Sequence, residues 1–189
     1  RELDDKWATG VLLGNLGAVA MVTGDFDRAV ALHEENLDVA RLLKDQGAIG
    51  RGLLNLAEAL QVRGDGDQSE LLTEALELHR ETNDRQCEIS ALTFLGNSAL
   101  SRGEPRRAAE LYAESLSLCQ AIGDRATMAN IALLERVASL ALTSSQPRHA
   151  ARLLGASEAM REELGTPMMP YLRAIREHCL EQLEARMDA

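Results

Sequence analysis

Residues 89–124, ISALTFLGNSALSRGEPRRAAELYAESLSLCQAIGD, decide the fold of this 189-residue chain, because their pattern returns upstream. The stretch sets Leu95-Gly96, Ala99, Gly103-Glu104-Pro105, Ala108, Tyr112, Leu116 and Asp124 in a fixed frame. The frame recurs as Leu56-Ala57, Leu60, Gly64-Asp65 and Asp84, and again as Leu16-Gly17, Ala20, Gly24-Asp25, Ala29 and Asp45. Its period is 39 to 40 residues. A fixed period in this range, with two helical segments per copy, marks a helical repeat array in which each unit buries its apolar face against its neighbours. Such a chain is a scaffold for binding, and the frame alone does not name what is bound.

Outward from that stretch, the apolar spacing predicts one helix over residues 6–23 and a second over 26–43, joined at Gly24-Asp25 with Asp25 or Asp27 as the cap. A second hairpin is expected over 49–62 and 71–82, with its turn at Gly64-Asp65-Gly66-Asp67. In the third, Pro105 stands in the first turn of the second helix, where its missing amide hydrogen costs nothing. A fourth hairpin over 128–142 and 147–164 aligns through Pro147, Ala150 and Gly165. Leu172, Ile175, Cys179, Leu183 and Met187 then form one stripe, read as a capping helix over 168–187 that lies back on the fourth hairpin. The repeats are therefore placed at 6–45, 46–84, 85–124 and 125–165. Asp5, Asp45, Asp84 and Asp124 are spaced by 40, 39 and 40 residues. Residues 1–5 accordingly read as the tail of a preceding repeat, and the chain as part of a longer array.

Composition narrows the function. Twenty basic against thirty acidic residues give a net charge of −10, and residues 64–124 hold 5 basic and 12 acidic side chains. That balance lacks the electrostatic footprint for a phosphate backbone, so no direct nucleic-acid partner is expected. No apolar run approaches the roughly 18 residues of a membrane span. No signal peptide is apparent either, so no membrane association is expected. Cys87, Cys119 and Cys179 lie far apart without a paired motif, which fits a reduced, cytoplasmic setting. Aromatic residues are only 3%, so packing must rest on Leu and Ala.

Chemical motifs are absent. Asp65, Asp67 and Ser69 imitate the first three ligands of a calcium loop, but Glu70 stands where the turn needs Gly and Leu76 where a bidentate Glu belongs. His33, His79, His149 and His178 fall in different repeats, and none stands four residues from a Cys, Asp or second His. His33 shares a frame position with Tyr112, which suggests packing. There is no phosphate-cradling loop, nucleophile elbow or zinc-protease motif. The chain is expected to be no enzyme and to hold no cofactor and no metal.

The Leu-Gly, small-residue, Gly and Ala positions over about residues 6–165 resemble the tetratricopeptide repeat (TPR). The resemblance implies an all-α fold, a right-handed superhelix of antiparallel helix hairpins with a C-terminal capping helix. The long period, the Leu-x-Asp junctions and the ending Ala151-Arg152-Leu153-Leu154-Gly155-Ala156-Ser157-Glu158-Ala159 are similar to the C-terminal repeat regions of bacterial LuxR-, MalT- or AfsR-like signalling ATPase transcriptional regulators. In that group the array serves as a sensor or protein-interaction region, so a protein or peptide, including other domains of a parent protein, is the implied partner. Self-association as a homodimer without a separate ligand is the alternative, and an accessory subunit of an enzyme is a third.

Gly17 and Gly96, with Ala57 and Ala138 in the equivalent places, are read as structural positions where a partner helix comes close. Asn15 and Asn55 precede the Leu-Gly position, and Asn97 follows it. By family geometry these line the inner groove, where amides can bond an extended peptide backbone. Bonding to neighbouring helices or to water is the competing use. Arg51, Glu58, Glu135 and Arg136 are placed on the same helix faces, to select charge. Trp7 has Gly47 and Gln86 at its equivalents and is expected to be partly exposed or covered by a second molecule.

Overall fold

The computed structural model describes residues 2–123, 128–165, 168 and 170–187. Among them are helices and no strand: α1 (Glu2–Thr23), α2 (Phe26–Leu43), α3 (Gln46–Arg63), α4 (Ser69–Glu81), α5 (Arg85–Ser101), α6 (Pro105–Ile122), α7 (Met128–Thr143), α8 (Pro147–Leu164) and α9 (Pro170–Met187). None of these is long and apolar enough to cross a membrane. Two compact units divide the chain, Arg1–Ser98 and Ala99–Ala189.

One device builds most of the connections. A residue with positive φ ends a helix, and the amide of the next residue donates back five positions. Asp25 bonds the Ala20 carbonyl at 2.9 Å, Asp65 that of Leu60 at 3.0 Å, Asp84 that of His79 at 2.9 Å, Glu104 that of Ala99 at 2.9 Å and Gln146 that of Ala141 at 2.8 Å. This is the Schellman arrangement, which satisfies carbonyls that a helix end leaves orphaned. Gly24, Gly64 and Gly103 supply the left-handed residue, as the sequence leads one to expect, whereas Lys44, Asn83 and Ser145 take that conformation with a side chain. At three junctions the residue after the turn also caps the next helix with its side chain. Asp25 accepts from the Arg28 amide, Asp45 from Ala48 at 3.0 Å and Asp84 from Cys87 at 3.2 Å. Asp5 differs from these three, because α1 runs through it and it starts no helix. Asp124 lies outside the described residues.

In the first unit, α1 packs on α2, α2 on α3, and α3 on α4. Leu53, Ala57, Leu72, Ala75, Ile89 and Leu92 are fully buried. At about 1.5 to 3 kcal/mol for each large aliphatic side chain, such burial dominates the stability. Close approach explains the glycine of α1. A Cβ on Gly17 would stand 2.4 Å from Cε1 of His33, so the His33 ring occupies the space that a side chain would need. Ala57, Gly96 and Ala138 are buried too, so all four small positions face inward. His33 and Tyr112, which share a place in the frame, are both buried. The would-be calcium loop is spent on itself: Arg63 holds the Asp65 carboxylate, and Asp67 accepts from the Ser69 amide and hydroxyl.

In the second unit α7 packs on α6, α8 and α9, and α9 also touches α8. Ala138, Leu142, Ala150, Leu154, Cys179 and Leu183 form one core, with Leu153 and Ile175 against it. The α9 stripe thus does the work of a cap. Its Arg186 donates to the Leu142 carbonyl at 2.6 Å and its Arg176 to that of Leu154 at 3.1 Å.

Candidate functional site

The face that α1 and α3 present in the first unit encloses a cleft of about 350 Å³, floored by the C-terminal half of α2. Asn15, Asn55 and Arg51 all line it, so the structure brings together three of the residues selected from sequence. Trp7 and Val11 supply an apolar wall, and Gly10 and Gly14 keep the α1 side low. Asn36 pins the floor by donating from Nδ2 to the Gly10 carbonyl at 2.6 Å. Asn55 is half-buried and Asn15 exposed, and among the described residues neither amide is engaged in a hydrogen bond. Two unpaired amides beside an exposed tryptophan offer donors, acceptors and a flat apolar surface together. Trp7 is 61% exposed.

Charge at the cleft is mixed. Asp45 and Arg51 both line it, and the Arg51 guanidinium stands 3.8 Å from Asp84. Beneath α1, burial lowers the pKa of His33 from its ordinary value, so the ring is neutral at pH 7. An uncharged floor of Asn36, Val39, Ala40 and Leu43, with one Asp and one Arg on the lining, suits a polypeptide better than a dense anion.

The remaining residues expected in the groove are elsewhere. Asn97 is buried, and its Nδ2 donates to Oε1 of Gln61 at 3.2 Å, while Gln61 donates to the Ser98 hydroxyl at 3.0 Å. Asn97 stands one turn on from the Asn15 and Asn55 position and about 60° around the helix, where the α3 side chain reaches it. Its amide bonds a neighbouring helix, the competing use recognised from sequence. Glu58 is half-buried and not among the residues that line the cleft.

Glu135 is a correction. It is fully buried, accepts from Ser157 and Arg161 at 3.3 Å each and lies 3.6 Å from Arg176. Glu158 completes the network by pairing with Arg161 at 2.6 Å and Arg176 at 2.9 Å. The signal was available: Glu135 shares its frame position with Leu54 and Thr93, which are both buried. Arg136, at the position of Asn15 and Asn55, is half-buried in the second unit.

Sequence reasoning also missed a cluster at the α4–α5 turn. His79, Asp84 and Cys87 place their ligand-type atoms within 4.8 Å of one another. The spacings of five and three residues match no familiar motif. They converge because the turn at Asn83 sets the end of α4 against the start of α5.

Comparisons with known proteins bear on the fold and on one repeat. No curated protein matches the chain. A family model for the tetratricopeptide repeat matches residues 91–126. Among solved structures, the nearly identical TPR-like repeats of a kinesin light chain candidate from Podosopora anserina superpose with a TM-score of 0.59 at 17% identity, covering 94% of this chain and 95% of that one. BtubC (BKLC) from P. vanneervenii superposes with a TM-score of 0.65 at 20% identity, over 95% of this chain and 78% of that one. The chain therefore has an all-α, TPR-like fold of helix hairpins with a capping helix, and residues 91–126 match the tetratricopeptide repeat.

Proposed function

We propose that this chain is a non-catalytic module that binds an extended polypeptide segment in the α1–α3 cleft. The carrying observation is the pair of amides, Asn15 and Asn55, unbonded among the described residues, in equivalent places of successive repeats and lining one cleft with Trp7. An extended backbone presents donors and acceptors at regular intervals, and neutral amides satisfy them without reading side chains. Arg51 and Asp45 then favour a segment with charges of both signs. We further read the module as the sensor or interaction region of a bacterial transcriptional regulator working in the cytoplasm. The Leu-x-Asp junctions and the Ala151–Ala159 ending support that reading.

The test is selection from a displayed peptide library on the wild-type chain, with counter-selection on Ala18→Leu, which fills the cleft from α1. Selected peptides should bind the wild type and lose most of their affinity for the variant. Their affinity should depend weakly on salt, because neutral amides are not screened. Peptides that bind both proteins equally would move the interaction away from the cleft.

Self-association is a second reading, with its own observation. Leu12, Leu16 and Val19 form an exposed stripe on α1, with Leu12 61% and Val19 59% exposed. Contiguous apolar surface of this kind marks an interaction face. Sedimentation velocity on the wild type and on Leu12→Glu/Val19→Glu distinguishes the readings. A concentration-dependent dimer lost in the variant supports self-association, and two monomers remove it.

A further inference from the structure

We propose that His79, Asp84 and Cys87 form a binding site for one divalent transition-metal ion of zinc-like preference, with water in the fourth position. Three observations carry this.

The first is geometric. The imidazole, carboxylate and thiol atoms all lie within 4.8 Å of one another, and Asp84 Oδ2 is 3.9 Å from His79 Nδ1. Small shifts bring all three onto a single ion. One nitrogen, one sulfur and one oxygen donor suit zinc or cobalt, whereas calcium and magnesium want oxygen throughout. Three protein ligands leave one position open, and Asp84, with 29% of its side chain exposed, gives access from solvent.

The second is an unmet need. His79 is fully buried, and neither of its ring nitrogens makes a well-formed hydrogen bond, although the Gly50 backbone lies close enough to act on its pKa. The ring is fixed in place against Gly50, where an added Cβ would stand 3.0 Å from its Cε1. Buried polar atoms are rarely left unpaired, and a metal bound to one nitrogen relieves that nitrogen. Burial also lowers the His79 pKa, which holds the ring in the neutral form that a metal requires.

The third is an internal control. Thirty-nine residues upstream, the α2–α3 junction makes the same turn with Ala40, Asp45 and Ala48 in the corresponding places. There Asp45 caps Ala48 at 3.0 Å, much as Asp84 caps Cys87 at 3.2 Å. Neither a histidine nor a cysteine is needed for the turn. The turn itself therefore does not account for the pairing of His79 with Cys87 at this junction.

Two opposing terms are met. Arg51 lies 3.8 Å from Asp84, but half its side chain is exposed, so it can swing away or hold the second carboxylate oxygen. The Cys87 thiol is pushed up to about 12 by burial and by Asp84, so it is protonated when free. Coordination forms a metal–sulfur bond and breaks the S–H bond, and the proton leaves to solvent. Binding therefore releases one proton per metal ion and tightens as pH rises.

Cobalt(II), added to the reduced, metal-free full chain, is the probe. The expected result is one equivalent bound per chain, with a thiolate-to-cobalt charge-transfer band and intense visible bands of a tetrahedral ion, all displaced by zinc. Cys87→Ser and Asp84→Asn should each weaken binding at least about a hundredfold, since even outer-shell partners are worth ten- to a hundredfold. Asp84→Asn keeps an oxygen for the cap, so helicity by circular dichroism should not change. If either variant fails to fold, alkylation of wild-type Cys87 with and without zinc decides, read by mass spectrometry, and protection is expected. Absence of the thiolate band from the wild type, its persistence in Cys87→Ser, or equal alkylation with and without zinc would overturn the proposal.

Discussion

Asn55 of α3 and Arg136 of α7 hold the same place in their repeats, as do Leu54 and Glu135, yet the two neighbourhoods have opposite uses. In the first unit the α1–α3 face is left as a cleft with unbonded amides. In the second unit α9 lies against α7, and Arg176 reaches Glu135 from it. The same frame thus yields an open recognition face or a sealed electrostatic core, according to what packs on it. A polar residue in a repeat frame has no function until its covering element is known.

Four changes would break or sharpen this contrast. The largest expected effect is at Glu135, because removing it leaves two guanidiniums, Arg161 and Arg176, sharing the single half-buried carboxylate of Glu158. Glu135→Ala should lower unfolding stability by about 3 to 5 kcal/mol. A loss under about 1 kcal/mol in urea denaturation would mean the α7 face is not sealed. In the first unit, Gly17→Ala forces a Cβ into the His33 ring, 2.4 Å away, and should cost about 1 to 3 kcal/mol. An unchanged melting temperature would show that α1 and α2 do not meet there.

Acid should separate the units as well. Burial lowers the pKa of His33 and His79 from 6.5. Above pH 6.5 both states are neutral and the stability is fully present. Below it the unfolded chain takes up protons that the folded one does not, so stability falls, by at most about 1.4 kcal/mol per pH unit for each histidine. The second unit has only exposed histidines, His149 and His178. Hydrogen exchange at pH 5.5 against pH 7.5 should therefore show protection lost in residues 2–98 and kept in α7 and α8. Equal loss in both would contradict the assignment. A smaller effect of opposite sign is expected at Lys44, whose φ of 55° favours glycine. Lys44→Gly should raise stability by about 1 kcal/mol, read from the denaturation midpoint.

Much of the fold was legible in the sequence because its determinants are local. Gly24, Gly64 and Gly103 announce left-handed turns, and the Leu and Ala frame announces buried stripes. The turns at Lys44, Asn83 and Ser145 carry no glycine, so only the cap residues Asp45 and Asp84 and, for the last, Pro147 betrayed them. The cleft was partly legible, since Asn15 and Asn55 repeat in register on first helices of the hairpins and Arg51 stands one turn before Asn55. Asn97 and Glu135 were misplaced because their surroundings are set by Gln61, Arg161 and Arg176, which no periodicity reports. The same holds for His79, Asp84 and Cys87, which converge through a turn.

The central claim is that the α1–α3 cleft receives an extended peptide on Asn15 and Asn55, and Trp7 reports on it directly, being the single tryptophan of the chain and part of the cleft wall. Titration of a library-selected peptide, followed by Trp7 emission, should give a saturable blue shift with the wild type. Asn15→Ala/Asn55→Ala should keep the wild-type melting temperature and bind about tenfold or more weakly, as loss of hydrogen bonds worth about 0.5 to 1.5 kcal/mol each implies. Equal affinity of the two proteins, or binding that leaves Trp7 emission unmoved, would contradict the account.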